Sequence, residues 1–282
     1  MAETPDDVEQ ALLDRALAGL EARGFIEYFG EYGDEIASFV PLVAWMRDEG
    51  RLEGRKVRTY RGMEPYYFFL DPDQLELKDD ARRWHRNAER VWPSRHAAYA
   101  RPRPWLRPPD YRAHYLPRAR RFARPTLFVQ NKFAVEWEGG PVNFLPLRPL
   151  AEVLRMARGR FQTVYSRPGI MGALEGYSRD HNIFCHYPDV ALLKRFPEVL
   201  VLEQMAAREG RSYNELKLEI LAGAHLFLSS QGGGSYILAA HGDSLLVILH
   251  LEGAEFPGAY REGLFTFLAD PPPRLAVLRG WP

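Results

Sequence analysis

Apolar and polar residues in the first part of the chain follow the periods of helices and strands in turn. After an amphipathic helix predicted over residues 5–22, an apolar run over 25–29 predicts a strand, and a helical period runs from about Glu35 to Arg47. A second strand is predicted at 56–60. Strand, glycine-containing polar loop, helix and strand make one βαβ unit, which implies a parallel sheet with a right-handed crossover.

A second series of the same kind begins at Thr126. Its predicted elements are, in order, the strand TLFVQ, the helix LRPLAEVLRMARG, the strand FQTVYSRP, a helix near 190–195, the strand VLVLEQ, a helix capped by Ser212, the strand that precedes the glycines at 232–234, the strand SLLVILHLEG and the edge strand RLAVLRG. Before this series, the charged stretch from Asp71 to Arg90 is predicted to be helical. The pattern therefore predicts an α/β fold with two successive halves, residues 1–120 and 121–282.

The stretch from His225 to Gly242, HLFLSSQGGGSYILAAHG, combines a strand, three glycines and an apolar helix. Glycines in this position let the backbone adopt positive φ and bring a ligand close to the N–H groups of the helix start. A tight turn without a ligand explains the same letters, and both interpretations stay open. The dinucleotide pattern GxGxxG is absent, because Ile237 stands where its third glycine belongs. A side chain at Gly233 is expected to block a ligand and to leave the fold largely intact.

Two loops that follow predicted strands carry candidate chemistry, because ligands gather at the carboxyl ends of parallel strands. The first loop contains Glu31, Asp34 and Glu35, which are either catalytic carboxylates or residues that cap the following helix and favour its dipole. The second loop follows TLFVQ and is longer than a plain connection requires. Its polar and aromatic residues include Asn131, Lys132, Glu136, Trp137 and Asn143.

Composition and charge narrow the class of protein. The 282 residues are 46% hydrophobic, as in folded globular chains, and 37 basic residues balance 37 acidic ones, so the net charge gives no reason to expect nucleic acid as a partner. The single cysteine, Cys185, excludes an internal disulfide and a cysteine-based zinc site. No apolar run reaches the roughly 20 residues that span a bilayer, and the N-terminus is acidic, so we expect a cytoplasmic protein without a transmembrane segment.

Arginine and proline are concentrated between Trp92 and Pro125. Prolines at this density exclude a long helix, and the stretch has almost no acidic residues. It is either a connector between the two halves or a surface for an anionic acceptor such as a phospholipid-linked or acidic saccharide. The second interpretation would allow peripheral association with a membrane, whereas the first agrees with the proline-rich composition of interdomain linkers.

Three motifs together resemble a family of transferases. They are GEYGDE before the first helix of the βαβ unit, QNKFAVEWEGGPVNFL after the first strand of the second half, and YNELKLEILAGAHLFLSSQGGGSY towards the end. The layout is similar to that of GT-B glycosyltransferases and, among these, to the fucosyltransferase-like branch of bacterial polysaccharide-biosynthesis proteins. The resemblance implies two Rossmann-like domains that face a cleft.

The resemblance also implies an activity, the metal-independent, inverting transfer of a sugar from a nucleotide sugar to a saccharide or glycoconjugate acceptor. The donor would bind to the C-terminal domain and the acceptor to the N-terminal one, and no cofactor or metal is expected. The DxD motif that holds a divalent metal in other glycosyltransferases is not found, and Asp71-Pro-Asp73 has its letters within a charged surface stretch.

The departing nucleoside diphosphate carries negative charge that, without a metal, must be met by cationic side chains and backbone N–H donors. Both candidate cations, Lys132 and Arg167, follow predicted strands. The predicted donor-binding residues are Asn131, Lys132, Arg167, Gln231, Gly232, Gly233, Gly234 and Ser235. The acceptor hydroxyl needs a general base, for which Asp34 or Glu31 is the candidate, with Glu136 as the candidate from the other domain.

Two other functions fit the same elements. A non-catalytic carbohydrate- or nucleotide-binding protein would need the glycine turn and aromatic residues but no carboxylate directed into the cleft. A nucleotide-dependent oxidoreductase is disfavoured, because the sequence shows no complete GxGxxG with a ribose-binding acid downstream.

Overall fold

A computed structural model describes residues 5–22, 24–80, 82, 103–134, 140–171, 186–250, 260 and 263–280, and these residues contain two parallel β-sheets. Helix α1 (Pro5–Glu21) precedes strand β1 (Phe25–Glu27). The chain then enters α2 (Tyr32–Asp34), which continues through a π-helical segment (Glu35–Phe39) into α3 (Val40–Asp48). Strands β2 (Lys56–Tyr60) and β3 (Leu75–Lys78) complete the smaller sheet, whose order is β1-β2-β3.

The predicted βαβ unit at the N-terminal end is confirmed, because β1 and β2 are parallel neighbours joined by helix. The helix begins at Tyr32, earlier than the predicted start at Glu35. The prediction of a helix from Asp71 to Arg90 is wrong at its start, where the structure has strand β3. Leu75 and Leu77 alternate with charged residues, which suits the period of strand β3, and β3 pairs parallel with β2.

The arginine- and proline-rich segment, as far as the structure describes it, packs onto both halves. It contains helix α4 (Tyr111–Tyr115) between two 3₁₀ turns, Pro104–Leu106 and Leu116–Arg118. Arg112 donates hydrogen bonds to the backbone carbonyls of Ala224 and His241. The side chains of Arg107, Arg118 and Arg120 form ion pairs with Asp270, Glu215 and Glu209. These arginines are engaged within the protein, and the choice between a connector and an acceptor surface stays open.

The larger sheet and its helices follow the second predicted series. They are β4 (Thr126–Gln130), α5 (Leu147–Ala157), β5 (Gln162–Ser166), α6 (Asp189–Leu193), β6 (Leu200–Val201), α7 (Leu202–Glu209), α8 (Tyr213–Ala222), β7 (Leu226–Ser230), α9 (Gly233–Ala239), β8 (Leu245–Leu249) and β9 (Arg274–Leu278). The predicted strand VLVLEQ is confirmed only over its centre, because Leu202 already begins α7. Ser212 caps α8 as predicted, since its Oγ accepts a hydrogen bond from the backbone N of Glu215.

The strand order of the larger sheet is β6-β5-β4-β7-β8-β9, and every neighbouring pair is parallel. Counted from β4, this is the order 3-2-1-4-5-6 of doubly wound nucleotide-binding sheets. The connections run outward from β4 to β6 on one side and from β7 to β9 on the other. The topological switch point therefore lies between β4 and β7, the place where sheets of this kind bind ligands at their carboxyl ends.

One hydrophobic core spans the two halves. It includes Ile26 and Phe39 from the N-terminal half together with Phe128, Leu218 and Ile237 from the larger sheet and its helices. A smaller core on the opposite face of the larger sheet contains Val129, Leu150, Leu154 and Tyr165. Phe128 and Val129 are consecutive in β4, and they enter different cores because successive strand residues point to opposite faces. The division into domains 1–120 and 121–282 stays a prediction.

Candidate functional site

The two halves meet backbone to backbone at the glycine turn. A Cβ atom at Gly33 in α2 would lie 2.7 Å from the Cα of Gly233, and a Cβ at Gly233 would lie 2.6 Å from the Cα of Gly33. No side chain fits at either position without moving the backbone. The expectation that a side chain at Gly233 leaves the fold intact is therefore wrong, because Gly233 is required where the N-terminal half packs on the C-terminal half. We call this contact the seam.

The conformation of the glycine turn requires glycine at its first position. Gly232 has φ 145° and ψ −172°, a region that side-chain-bearing residues avoid. Lys132, which follows β4, lies over this residue, because a Cβ at Gly232 would be 3.0 Å from the lysine Nζ. Gln130 covers Gly234 in the same way, with its Cγ 2.8 Å from the position of a Cβ. The structure thus brings Lys132 and the glycine turn together at the switch point.

The amide of Ser235 is already engaged. Both its backbone N and its Oγ donate to the carbonyl of Gly232, at 2.9 Å and 2.6 Å. These bonds close the first turn of α9, so Ser235, one of the predicted donor-binding residues, already has a partner for its amide within the protein. Gln231 is also tied into the protein, because its backbone N donates to Leu249 and its Oε1 accepts from the Asn143 side chain.

Asn131 organises the loop that follows β4. Its Oδ1 accepts hydrogen bonds from the backbone N atoms of Lys132 and Leu145, at 2.8 Å and 2.7 Å, and its Nδ2 donates to the Tyr165 hydroxyl at 3.0 Å. The residue is fully buried. Asn131 therefore fixes both ends of the loop and with them the start of the Lys132 side chain, while Lys132 itself stays partly exposed.

Arg167 is held by a buried carboxylate. Its Nε and Nη2 donate to the two carboxyl oxygens of Asp189 at 2.6 Å and 2.9 Å, and the Tyr165 hydroxyl donates to the same carboxylate. Burial opposes the charged guanidinium, but the hydrogen bonds and the charge of Asp189 outweigh it and raise the pKa of Arg167. Asn131, Tyr165, Asp189 and Arg167 form one buried network, so the structure places Arg167 in a buried framework at the end of β5.

The three carboxylates of the first loop have different surroundings. Glu35 is fully buried and accepts hydrogen bonds from Thr59, from Tyr67 and from Arg82. Glu31 and Asp34 are partly exposed. Since Asp34 has helical backbone angles within α2, the interpretation of Asp34 as an N-cap is wrong. Glu31 occupies that position instead, without a side-chain hydrogen bond to the helix it precedes.

A polar cluster under the seam was not predicted from the sequence. The hydroxyls of Tyr32 and Tyr66 are 2.6 Å apart, and Tyr66 donates to the Oδ1 of Asn214 in α8. In turn, the Asn214 Nδ2 donates to the carbonyl of Gly62. The helix α8 therefore holds two parts of the N-terminal half through one side chain.

The same cluster contains a buried acid and a buried base. Glu203 in α7 accepts from the Ser166 Oγ at 3.2 Å, and Ser166 lies 2.7 Å from the hydroxyl of Tyr213. Burial raises the pKa of Glu203 to about 8, and burial lowers the pKa of Lys217, which the charge of Glu203 opposes, to about 7. The sequence carries no clear signal for this pair, because α8 also contains Asn214, Glu215 and Glu219, and a polar residue in a helix does not indicate which face is buried.

Glu136 lies outside the described residues. Within the part of the chain that the structure describes, no group of three or more His, Cys, Asp or Glu side chains is placed to hold a metal ion. No helix among those residues is long and apolar enough to cross a membrane.

Comparisons with known proteins found no match among family models or curated proteins and a weak likeness to a solved structure. A solved structure to which it is similar is the ADP-heptose LPS heptosyltransferase II of E. coli, at 13% identity and a TM-score of 0.41, over 98% of this chain and 88% of that one. A likeness at this level carries no argument about activity, which rests on the site itself.

Proposed function

We propose that this protein is a glycosyltransferase of the GT-B type that moves a sugar from a nucleotide sugar to a saccharide or glycoconjugate acceptor. The observation that carries the proposal is the position of the seam. The glycine turn and Lys132 stand at the switch point of a doubly wound sheet, and the loop with Glu31 and Asp34 lies against them from the other half. Donor and acceptor could therefore meet between the carboxyl ends of two parallel sheets.

On the donor side, the proposal assigns the diphosphate to the glycine turn and Lys132. Gly232 has no side chain, and the Lys132 ammonium lies beside it, so that backbone and a cation are close together there. Asn131 and Arg167 act through the buried network that orders the loop. Gln231, Gly233 and Ser235 shape the turn through packing and internal hydrogen bonds.

On the acceptor side, Asp34 or Glu31 would remove the proton from the attacking hydroxyl as it bonds to the anomeric carbon and the nucleoside diphosphate leaves. Such a single displacement inverts the anomeric centre. Glu136 stays the candidate base from the C-terminal half. We also propose that the transfer inverts the anomeric centre, that it needs no metal, and that the protein belongs to the fucosyltransferase-like branch. In this proposal Lys132 and the glycine turn supply the charge that a metal would otherwise supply.

A thermal-shift screen tests whether a nucleotide binds. UDP, GDP, ADP, CMP and NAD are each added to the full chain, and a ligand at 100 times its dissociation constant adds about 2.7 kcal/mol to the free energy of unfolding. We expect one of the nucleoside diphosphates to raise the melting temperature. The corresponding nucleotide sugars are then assayed for transfer. A response to NAD alone, or to none of the five, would contradict the proposal.

A second candidate is a binding protein without catalysis. It would need the glycine turn but no carboxylate that reaches an acceptor hydroxyl, and this is the feature that separates it from the enzyme. A binder would take up the nucleotide sugar intact. Stable binding without transfer to any saccharide acceptor and without release of free nucleotide would support this candidate over the enzyme.

A further inference from the structure

Helix α8 holds the first loop of the N-terminal half from across the seam. Asn214 reaches Tyr32 through the Tyr66 hydroxyl, and Lys217, one turn further along α8, has its Nζ 5.6 Å from the centre of the Tyr32 ring. Tyr32 is buried between Glu31 and Gly33, and Gly33 makes the backbone contact with the glycine turn. A displacement of Tyr32 would therefore move the candidate bases relative to the donor site.

We propose that Lys217 is a positioning residue that holds Tyr32, and with it Glu31 and Asp34, at a fixed position relative to the glycine turn. The proposal rests on the proposed transferase function, because the loop is positioned for that reaction. Its physical basis is the attraction between an ammonium group and the face of an aromatic ring, which acts within about 6 Å and strengthens when the pair is removed from water. Lys217 is fully buried, and its Nζ also lies 5.9 Å from the centre of the Tyr213 ring.

The charge of Lys217 depends on the titratable groups that face it from the elements around α8. The groups that face it among the described residues are Glu203 in α7, Tyr32 in α2, Tyr213 on its own helix and His241 after α9. Burial lowers the pKa of Lys217 to about 7 against the opposing charge of Glu203, and burial lowers the pKa of His241 to about 3. Lys217 and Glu203 therefore both change charge near neutral pH, and Lys217→Arg separates their effects because it keeps the cation while Glu203 still titrates. The attraction of Lys217 to Tyr32 is present below pH about 7 and is lost as the pH rises through that value.

The first test is the pH dependence of kcat in wild type, Lys217→Arg and Lys217→Met. We expect the kcat of the wild type to fall by about tenfold as the pH rises through 7, since small misplacements of reacting groups cost up to about a hundredfold in rate. Lys217→Arg stays charged, so its kcat should not fall in this range. Lys217→Met should have a low kcat at every pH, while the KM for the donor changes less than about twofold.

The second test does not require activity. Hydrogen exchange of the backbone amides over residues 30–36 is measured at pH 6 and pH 8.5 and corrected for the intrinsic exchange rates. Protection in the wild type should fall by roughly three- to tenfold at the higher pH, and in Lys217→Arg it should not change. The matched control is Lys194→Met, which removes an exposed lysine of the same half and should behave as the wild type.

The two tests separate this inference from the proposed function. If no nucleotide sugar supports transfer, the proposed function fails, and the exchange experiment still decides whether Lys217 holds the loop. If transfer occurs but all three proteins share one pH profile and one exchange pattern, the inference about Lys217 is overturned alone. If Lys217→Met does not fold, the comparison of wild type with Lys217→Arg carries both tests, and a fall of equal size in both proteins overturns the inference.

Discussion

At the scale of single residues, solvent exposure distinguishes the three carboxylates of the first loop. Glu35 is fully buried and receives hydrogen bonds from three side chains, so it fixes the helix to the end of β2. Asp34 and Glu31 are partly exposed and lie on either side of Gly33 at the seam. A general base must reach the hydroxyl it deprotonates, which makes the two exposed groups better candidates than Glu35.

Asp34→Asn and Glu31→Gln test the base. General-base catalysis is typically worth 10² to 10⁴ in rate, so we expect at least one variant to lose about a hundredfold or more in kcat with the donor that the screen identifies. The melting temperature should stay close to that of the wild type, because neither side chain caps the helix. Unchanged kcat in both variants would exclude these two residues as the base and leave Glu136 as the candidate.

Gly33→Ala tests the seam. The added Cβ would lie 2.7 Å from the Cα of Gly233, and overpacking of this kind typically costs about 1–3 kcal/mol in the free energy of unfolding. Chemical denaturation measures this loss. Gly24→Ala is the matched control, since a Cβ at Gly24 meets no atom within 4 Å. Equal stability of the two variants would mean that the backbones do not touch in solution.

At the scale of helices and strands, the sequence predicted most elements because their patterns are local. The strands at 56–60 and 126–130 agree with β2 and β4 residue for residue, since β-branched and aromatic residues are bounded there by turn residues. Strand β3 was missed because its alternation is short and charged. The roles of Tyr213 and Lys217 were missed for a different reason, since a polar residue in a helix gives no indication of which face is buried.

Glu203→Gln tests the buried acid beneath the seam. The pKa of Glu203 is about 8 in the folded protein against 4.5 for the unfolded chain, so the folded state binds more protons between these values. Stability conferred on the wild type by this group is therefore lost as the pH rises from about 4.5 to about 8. Glutamine does not titrate. We expect the stability of the variant relative to the wild type to increase by a few kcal/mol from pH 5 to pH 8, at about 1.4 kcal/mol per pKa unit.

Urea denaturation at the two pH values measures this change. The charge of Glu203 acts on the pKa of Lys217, so the difference between the two proteins measures the titration of Glu203 together with its coupling to Lys217. If the difference in the free energy of unfolding between variant and wild type is the same at pH 5 and pH 8, Glu203 does not carry a raised pKa.

At the scale of the whole molecule, the arrangement depends on contacts between residues far apart in the sequence. The pattern of strands and helices indicated two α/β halves, but it did not contain the order β6-β5-β4-β7-β8-β9, which places the glycine turn after β7 beside Lys132 after β4. Nor did it indicate that Gly33 and Gly233 touch, because the presence of each glycine could be explained by the turn in which it lies. The seam thus supplies a packing reason for the glycines in addition to the ligand-binding reason that the sequence suggested.

The central claim is that a nucleoside diphosphate binds at the switch point between β4 and β7. Isothermal titration calorimetry with the nucleotide found in the screen tests it most directly, using wild type, Lys132→Met and the surface control Lys194→Met. A hydrogen bond to a charged group is worth about 1.5–3 kcal/mol, so the dissociation constant of Lys132→Met should rise by about tenfold or more, while that of Lys194→Met should equal the wild-type value. Equal affinity in all three proteins would contradict the claim.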